Sequence, residues 1–246
     1  ASALLMSGVL LENGLKLNLS GDRAEGAYVK MTLAMMEQFG IPVRRKGNSF
    51  QVPHMESFGL EEYQIEPDVS GACYFYAMAP LLETSVIVKN VHRNSLQGDI
   101  KFLDVLQEMG CCMEDGAEGI LIEGSHLEKY PGIDLSMKDF SDQTMTMAAL
   151  APFAESTCLI RNIGHIRYQE TDRISAILTE LQRMGIQCEE ASECDGIRIF
   201  PGQIQECEVE TYDDHRMAMA FTLIGLKTGN ITIKNPGCCK KTFENY

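Results

Sequence analysis

The chain has 246 residues, of which 45% are hydrophobic and 23% are charged, a composition typical of a soluble globular protein with one large or two modest cores. Its formal net charge of −14 argues against nucleic acid as a partner, because phosphate binding normally leaves a basic surplus. No apolar run approaches the roughly 20 residues of a membrane span, so we expect no membrane partner. A small anionic ligand is not excluded, because a few cations in a cleft dominate the local field.

The cysteines point to a reducing environment. There are nine of them, and two pairs are adjacent in the sequence, but there is no C-x-x-C motif and no Cys/His spacing typical of zinc. We therefore expect reduced thiols in a cytosolic protein, without a bound metal.

The first predicted elements lie near the start of the chain. Residues 1–11 have the composition of the middle of an apolar helix, and the first residue is Ala1 instead of Met. We therefore expect the true start of the protein to lie elsewhere. Residues 15–41 then form a short strand, a polar loop and an amphipathic helix that closes on Phe39-Gly40.

This segment recurs along the chain. Residues 86–111 and residues 159–186 each contain a short strand, a polar loop and an amphipathic helix that closes on Met-Gly, where a helix C-cap favours glycine. Residues 230–246 begin a fourth copy and stop before its second helix. The strands of the last three copies end near an asparagine at matching places: Asn90, Asn162 and Asn235.

A second type of helix opens each of the last three copies. An acidic residue introduces it each time, at Asp68, Asp142 and Asp214. A strand hairpin follows the amphipathic helix, so the repeating unit contains both helices and short strands. This pattern predicts an α/β protein whose helices pack inside or behind sheets.

A polar stretch, residues 47–67, separates the first copy from the other three, and we place a domain boundary near Glu66. Residues 1–66 are then the last repeat of a first lobe. Residues 67–246 are a second lobe of three repeats, the last one truncated. One repeat can hardly bury its own apolar face, so we expect both ends of this chain to be cut.

Charged residues concentrate where helices begin. On periodicity alone, Asp142 is predicted to be a helix N-cap, a position where Asp is favoured by about 1 kcal/mol. The simplest interpretation of Asp172 and Arg173 is a solvated ion pair in a first helical turn. The charged segments are Ser141–Gln143, Arg167–Arg173, Asp213–Met219 and Lys240–Phe243.

Two of these cations favour a binding function instead. Arg173 and Arg216 each fall in the first turn of a predicted helix, where a positive side chain opposes the helix dipole. A cation beside free N–H groups is favourable when both contact a bound anion. We therefore predict one shared anionic ligand. His215, beside Arg216, is either a ligand contact or a polar residue at the start of a helix.

The same segments resemble those of 5-enolpyruvylshikimate-3-phosphate synthases, in the same order and spacing along essentially the whole chain. The related UDP-N-acetylglucosamine enolpyruvyl transferases are less similar. The motifs that carry the resemblance are NSLQGDIKFLDVL (94–106), SDQTMTMAALA (141–151), RYQETDR (167–173), YDDHRMAMAF (212–221) and KKTFENY (240–246).

This resemblance implies the enolpyruvyl transferase (inverse α/β barrel) fold, with two lobes built from βαβαββ units and an active site between them. It implies a cytoplasmic, monomeric enzyme of the shikimate pathway of aromatic amino acid biosynthesis, with no cofactor and no metal. The implied substrates are phosphoenolpyruvate and shikimate 3-phosphate. The family's Ser-Ser-Gln segment and its N-terminal Lys and Arg have no counterpart here, so we expect the chain alone to be inactive without the missing N-terminal segment of the same enzyme.

The resemblance also implies roles for residues that match the family motifs. Asp142 corresponds to the carboxylate that binds the shikimate hydroxyls and acts as general base. Glu170 corresponds to the acid that transfers a proton at the phosphoenolpyruvate methylene. Arg173, Arg216 and Lys241 match the cationic clamp on phosphoenolpyruvate.

The shikimate 3-phosphate half of the implied site departs from the family pattern. Glu25 replaces the serine that usually contacts the shikimate phosphate three residues before a tyrosine, here Tyr28. His165 and Gln169 replace the usual Asn and Lys that contact shikimate. Two alternatives therefore stay open: an anion-binding module without turnover, and an enolpyruvyl transferase that acts on another alcohol.

Overall fold

In the computed structural model, residues 1–21 and 26–246 are described, and they divide into two compact units. The first unit contains Ala1–Glu66 and Asn94–Gly98, and the second contains Pro67–Arg93 and Asp99–Tyr246. Glu25, one of the predicted site residues, lies outside the described residues. The assignment of these units to two lobes of a larger enzyme stays a prediction.

The first unit is a small α/β layer. Its helices are α1 (Ser2–Ser7) and α2 (Ala27–Gln38), and its strands are β1 (Leu15–Asn18), β2 (Arg44–Lys46) and β3 (Ser49–Val52). The strands form an antiparallel sheet in the order β1-β3-β2. Alternate residues of β3 point inward, so that Phe50 and Val52 join Leu5 of α1 in a small apolar core.

The second unit begins with a repeat that has the predicted helix–strand–helix–hairpin order. Its elements are α3 (Val69–Leu82), β4 (Ser85–Lys89), α4 (Phe102–Glu108), β5 (Cys112–Gly116) and β6 (Gly119–Glu123). The strands form an antiparallel sheet in the order β4-β6-β5.

The next two repeats each contain a short strand that the residue pattern did not predict. The second repeat consists of β7 (Asp134–Ser136), α5 (Thr144–Leu150), β8 (Cys158–Arg161), α6 (Arg173–Arg183), β9 (Cys188–Ala191) and β10 (Gly196–Ile199). The third contains β11 (Cys207–Val209), α7 (His215–Thr228) and β12 (Ile231–Ile233). Both extra strands, β7 and β11, are three residues long and pair in parallel with β8 and β12, so tertiary pairing creates them.

The core of the second unit is formed by α3, α5 and α7, which pack against one another. All seven residues of α5 are buried, and α7 is buried over most of its surface. A helix that is apolar all round needs burial on all sides, which explains its place inside the sheets. By contrast, α6 is amphipathic and buries one apolar stripe: Ile174, Ile177, Leu178 and Leu181. The predicted α/β class, with helices inside sheets, is confirmed.

The matching asparagines of the three repeats share one backbone conformation. Asn90, Asn162 and Asn235 have φ of 62°, 60° and 46°, in the left-handed region that asparagine tolerates better than most residues. Each lies just after an outgoing strand and turns the chain into a loop. The loops after Asn162 and Asn235 carry residues of the predicted site.

Two further findings concern the part of the chain that the structure describes. None of its helices combines the length and the apolar composition that a membrane span requires. All nine cysteines are free thiols.

Candidate active site

The candidate site of the second unit is centred on Arg173, the first residue of α6. Its guanidinium is only 1% exposed and forms a two-point contact with Asp214, from Nε to Oδ2 at 2.7 Å and from Nη2 to Oδ1 at 3.4 Å. Asp214 is itself 0% exposed. The simple interpretation of Arg173 as a solvated partner of Asp172 is therefore wrong. Asp172 instead caps α6 by accepting a hydrogen bond from the Ser175 amide and pairs with Arg167.

Asp142 bridges two guanidinium groups. Its Oδ1 accepts from Arg173 Nη1 at 3.1 Å, and its Oδ2 accepts from Arg216 Nη2 at 2.9 Å. The residue lies inside a 3-10 turn, Ser141–Gln143, and the N-cap of α5 is Gln143. The prediction of a plain N-cap at Asp142 is therefore wrong, because Asp142 lies inside the turn and its carboxylate accepts hydrogen bonds from two arginine side chains.

Glu170 lies between Arg173 and Lys241. Its Oε2 accepts from Arg173 Nη2 at 3.0 Å, and its Oε1 accepts from Lys241 Nζ at 2.7 Å. The hydrogen bond from Lys241, with the charge of Arg173, lowers the pKa of Glu170 from 4.5 to about 2 against an opposing effect of burial. Glu170 is therefore ionised at neutral pH. Beside it, the side-chain carbonyl of Gln169 accepts a hydrogen bond from Arg173 Nη1.

Arg216 lies in the first turn of α7, as predicted. Asp214, the acidic residue that introduces this helix in the sequence, is its N-cap and accepts a hydrogen bond from the Arg216 amide at 2.8 Å. Burial acts to lower the pKa of Arg216, but the neighbouring Tyr74 and Asp142 raise it above its ordinary value. The Tyr74 hydroxyl is 3.4 Å from Arg216 Nη1.

Sequence reasoning missed Tyr74 and the second function of Asp214. Tyr74 lies on α3, 142 positions before Arg216 in the sequence, and no local pattern indicates the contact. For Asp214 a signal existed, since an acid that directly precedes a histidine and an arginine is suited both to cap the helix and to pair with a cation. Its pairing with Arg173 depends on the packing of α6 beside α7.

His215 is buried at the start of α7. Its Nδ1 lies 3.8 Å from Asp214 Oδ1, and among the described residues this nitrogen has no hydrogen-bond partner. Burial and the charge of Arg216 lower the pKa of His215, so the imidazole is neutral at neutral pH. Both interpretations of His215, as ligand contact and as helix-start residue, stay open.

His165 lies next to the Asp142 turn. Its Nε2 is 2.8 Å from the Ser141 hydroxyl oxygen. Tyr28 lies on α2 in the first unit, where its side chain is exposed. The second unit thus brings together seven of the predicted site residues: Asp142, His165, Gln169, Glu170, Arg173, Arg216 and Lys241.

The charges of this cluster fall into a buried part and an accessible part. Arg173 and Asp214 form a buried pair that acts as scaffold, because separating such charges is strongly unfavourable. Lys241 is 62% exposed and Glu170 is 35% exposed, so their pairing is open to exchange with a ligand. Arg216 and Asp142 lie between these extremes, at 13% and 14% exposed. The arrangement can hold an anion with cations and offers two carboxylates for proton transfer.

The described part of the chain contains no group of three or more His, Cys, Asp or Glu side chains arranged to bind a metal ion.

Comparison with known proteins gives a consistent result. The family described as EPSP synthase (3-phosphoshikimate 1-carboxyvinyltransferase) matches residues 1–246. A protein of Nostoc punctiforme named 3-phosphoshikimate 1-carboxyvinyltransferase is 45% identical over 246 residues, which are 100% of this chain and 57% of that protein. A protein of the same name from Xenorhabdus nematophila is 39% identical over 250 residues and is also covered to 57%. The chain thus spans little more than half the length of these relatives.

Solved structures agree in fold. EPSP synthase from Acinetobacter baumannii superimposes with a TM-score of 0.79 at 24% identity, over 98% of this chain and 56% of that one. The enolpyruvyl transferase NikO from Streptomyces tendae superimposes with a TM-score of 0.73 at 16% identity, over 98% of this chain and 55% of that one. The predicted enolpyruvyl transferase fold is therefore confirmed.

Proposed function

The chain belongs to the EPSP synthase family, and on this basis we propose that the protein carrying it transfers the enolpyruvyl group of phosphoenolpyruvate to the 5-hydroxyl of shikimate 3-phosphate. The supporting observation is the convergence of Arg173, Arg216 and Lys241 on the carboxylates of Asp142 and Glu170. The complete activity requires the part of the relatives that this chain does not match. We place the reaction in the cytoplasm, in the shikimate pathway of aromatic amino acid biosynthesis, and expect a monomer.

Binding of phosphoenolpyruvate exchanges one set of anions for another. The ammonium of Lys241 and the guanidinium of Arg216 each contact a carboxylate in a partly accessible position. The phosphate and carboxylate of the substrate take over these contacts, since each offers oxygen acceptors with full negative charge. Arg173 keeps its buried pair with Asp214 and its contact with Asp142, and the substrate displaces Glu170 from its Nη2.

The addition step needs one proton removed and one supplied. Asp142, which stays in contact with Arg173, accepts the proton of the acceptor hydroxyl as its oxygen bonds to the central carbon of the enol ether. Glu170 supplies a proton to the methylene carbon. In the elimination step the methyl group returns that proton to Glu170, the carbon–oxygen bond to phosphate breaks, and the proton on Asp142 leaves with the phosphate.

Glu170 can act as an acid only after its surroundings change. With Lys241 and Arg173 bound to it, its pKa is about 2 and it carries no proton at neutral pH. When Lys241 turns to the substrate phosphate, the largest influence that lowers this pKa is removed, and a new negative charge lies nearby. Both changes raise the pKa, so substrate binding itself prepares Glu170 to take up the proton that it donates.

A second candidate function, transfer to a different alcohol, is favoured by the acceptor half of the site. His165 is engaged with the Ser141 hydroxyl, and Gln169 with Arg173. Neither carries the fixed positive charge of a lysine, so recognition of a phosphorylated acceptor would depend on other residues. Tyr28 and Glu25 complete the proposed acceptor-binding set.

Two measurements test the proposal. Calorimetry of this chain with phosphoenolpyruvate tests the clamp, and Arg216→Met should abolish the binding heat while Arg198→Met, a surface arginine paired with Glu189 and Glu193, should not. Phosphate release is then measured with a chimera in which the remainder of the Nostoc punctiforme relative is joined to this chain. Release that depends on phosphoenolpyruvate and shikimate 3-phosphate supports the proposal.

The negative outcomes are distinct. Binding without turnover in the chimera favours an anion-binding module. Turnover with other alcohols but not with shikimate 3-phosphate favours the second candidate function. Absence of phosphoenolpyruvate binding in both the chain and the chimera refutes the clamp.

A further inference from the structure

Two loops that lead into the site have an unusual backbone. Tyr212 and Asp213 both have φ of 55°, and Asn235 has φ of 46°. Left-handed backbone is uncommon outside glycine, and for a bulky residue such as Tyr212 it is a true outlier. Such conformations persist only where the surroundings hold them, and they cluster at functional sites. The first loop enters α7 and Arg216, and the second enters the turn that carries Lys241.

The side chains of these residues tie the two loops together. Asn235 Nδ2 donates to Asp213 Oδ1 at 2.6 Å. Behind this pair, the Tyr212 hydroxyl donates to Glu180 Oε1 at 2.8 Å. Glu180 is fully buried on α6, the helix that begins at Arg173, and Arg183 compensates its charge by donating from Nη1 to both carboxylate oxygens. These two hydrogen bonds, joined through the backbone between Tyr212 and Asp213, thus link the three elements that carry the three cations.

Asp213 is the fixed end of this link. It directly precedes Asp214, which is buried, paired with Arg173 and capping α7. Asn235, its partner, is the N-cap of the 3-10 turn Pro236–Lys241. Proline at the first position of that turn restricts φ, so the orientation of Asn235 is passed on to the six residues that end in Lys241.

The turn that carries Lys241 packs against α7 and buries Cys239, but the Lys241 side chain itself is held by a single contact. Its side chain is 62% exposed and contacts Glu170 through one hydrogen bond. A long flexible side chain of this kind loses considerable rotamer freedom when it is ordered, so its backbone must already be in the right place.

We propose that Asp213 and Asn235 are positioning residues whose hydrogen bond sets the placement of Lys241 against Glu170. The consequence for phosphoenolpyruvate binding rests on the proposed function, whereas the placement itself does not. Both residues are exposed, so their bond adds little to the stability of the second unit. If the hydrogen bond between Asp213 and Asn235 had only a structural role, its removal would leave the contact between Lys241 and Glu170 unchanged.

The first test follows Glu170 by carboxyl-carbon NMR titration of this chain, without ligand. The native pKa of Glu170 should lie near 2, and Lys241→Met should raise it toward the ordinary value of 4.5. Asn235→Gly keeps the left-handed backbone but removes the amide, and it should raise the pKa in the same direction. Asn90→Gly, the same change at the matching place of another repeat, should not.

A compensating exchange provides the rescue. Asn235→Asp alone places two carboxylates against each other and should raise the pKa of Glu170. Asp213→Asn combined with Asn235→Asp restores a donor–acceptor pair, so the pKa of Glu170 should return to its native value. The proposal is overturned if Asn235→Gly leaves the pKa of Glu170 unchanged while Lys241→Met raises it, or if the exchange fails to rescue.

The second test measures phosphoenolpyruvate binding by the same variants. Asn235→Gly should weaken binding about tenfold, the equivalent of losing roughly one charge-assisted hydrogen bond. In a Lys241→Met background it should cause no further loss, because it acts only through Lys241. Additive losses would contradict the proposal. If native protein does not bind phosphoenolpyruvate, the proposed function fails, and the titration of Glu170 still decides whether the pair positions Lys241.

Discussion

Replacing Arg173 by methionine tests whether the buried ion pair is the scaffold of the site. The change removes the guanidinium from Asp214, which is 0% exposed, and leaves that carboxylate buried without its cation. Breaking a buried pair in this way costs about 3–5 kcal/mol, a large part of a total stability of roughly 5–15 kcal/mol. The losses at Asp142 and Glu170 add less, because both carboxylates are partly exposed.

The measurement is hydrogen exchange followed by mass spectrometry, read on peptides from α5 and α7. Both helices lie in the buried core of the second unit, so their amides report the free energy of its opening. Arg198→Met is the matched control. Arg198 also pairs with two carboxylates, at 2.6 Å each, but on the surface, and its loss should leave exchange in α5 and α7 unchanged.

A second variant separates loss of the ion pair from loss of packing. Asp214→Asn combined with Arg173→Met removes the uncompensated charge and keeps an acceptor for the Arg216 amide at the start of α7. This double variant should recover most of the stability lost by Arg173→Met. The reasoning is refuted if Arg173→Met has no larger effect than Arg198→Met, or if neutralising Asp214 recovers nothing.

Three further predictions concern the chemistry of the site. Asp142→Asn in the chimera should lower kcat by about 10²–10⁴-fold, because a proton-transfer group is lost. Phosphoenolpyruvate binding, measured by calorimetry, should not be weakened, because Arg216 loses a competing anion. Phosphoenolpyruvate binding near pH 4 should take up protons, seen as a dependence of the binding heat on the ionisation enthalpy of the buffer, and Glu170→Gln should abolish this uptake. In the folded protein the pKa of Glu170 is lowered from 4.5 to about 2, so the stabilisation from its charge is complete above pH 4.5 and is lost as the pH falls toward 2. The difference in unfolding free energy between native protein and Glu170→Gln, measured by urea unfolding at a series of pH values, should therefore shrink over that range. A constant difference would contradict the assignment.

Local patterns in the sequence were enough to predict the elements that carry the site. The apolar stripe of α6 and the glycines after α4 and α6 define the amphipathic helices, and Gly110 and Gly185 both have the positive φ that such helix ends require. The cations at the starts of α6 and α7 were recognisable because they oppose the helix dipole. These signals depend on residues that are close together in the sequence, so they can be recognised without knowledge of the fold.

Local patterns failed where a residue has neighbours that are distant in the chain. Periodicity placed Asp142 at a helix cap, but its partners Arg173 and Arg216 lie 31 and 74 residues away. The short strands β7 and β11 exist only because β8 and β12 pair with them.

The residues that could serve binding and catalysis were therefore recognisable from the sequence, and so was the family. The burial of Arg173, its pairing with Asp214 and the contact of Lys241 with Glu170 became visible only in the folded protein. Ion pairing depends on distance in space and on burial, and both are set here by the packing of α6 and of the Lys241 turn against α7, not by spacing along the chain.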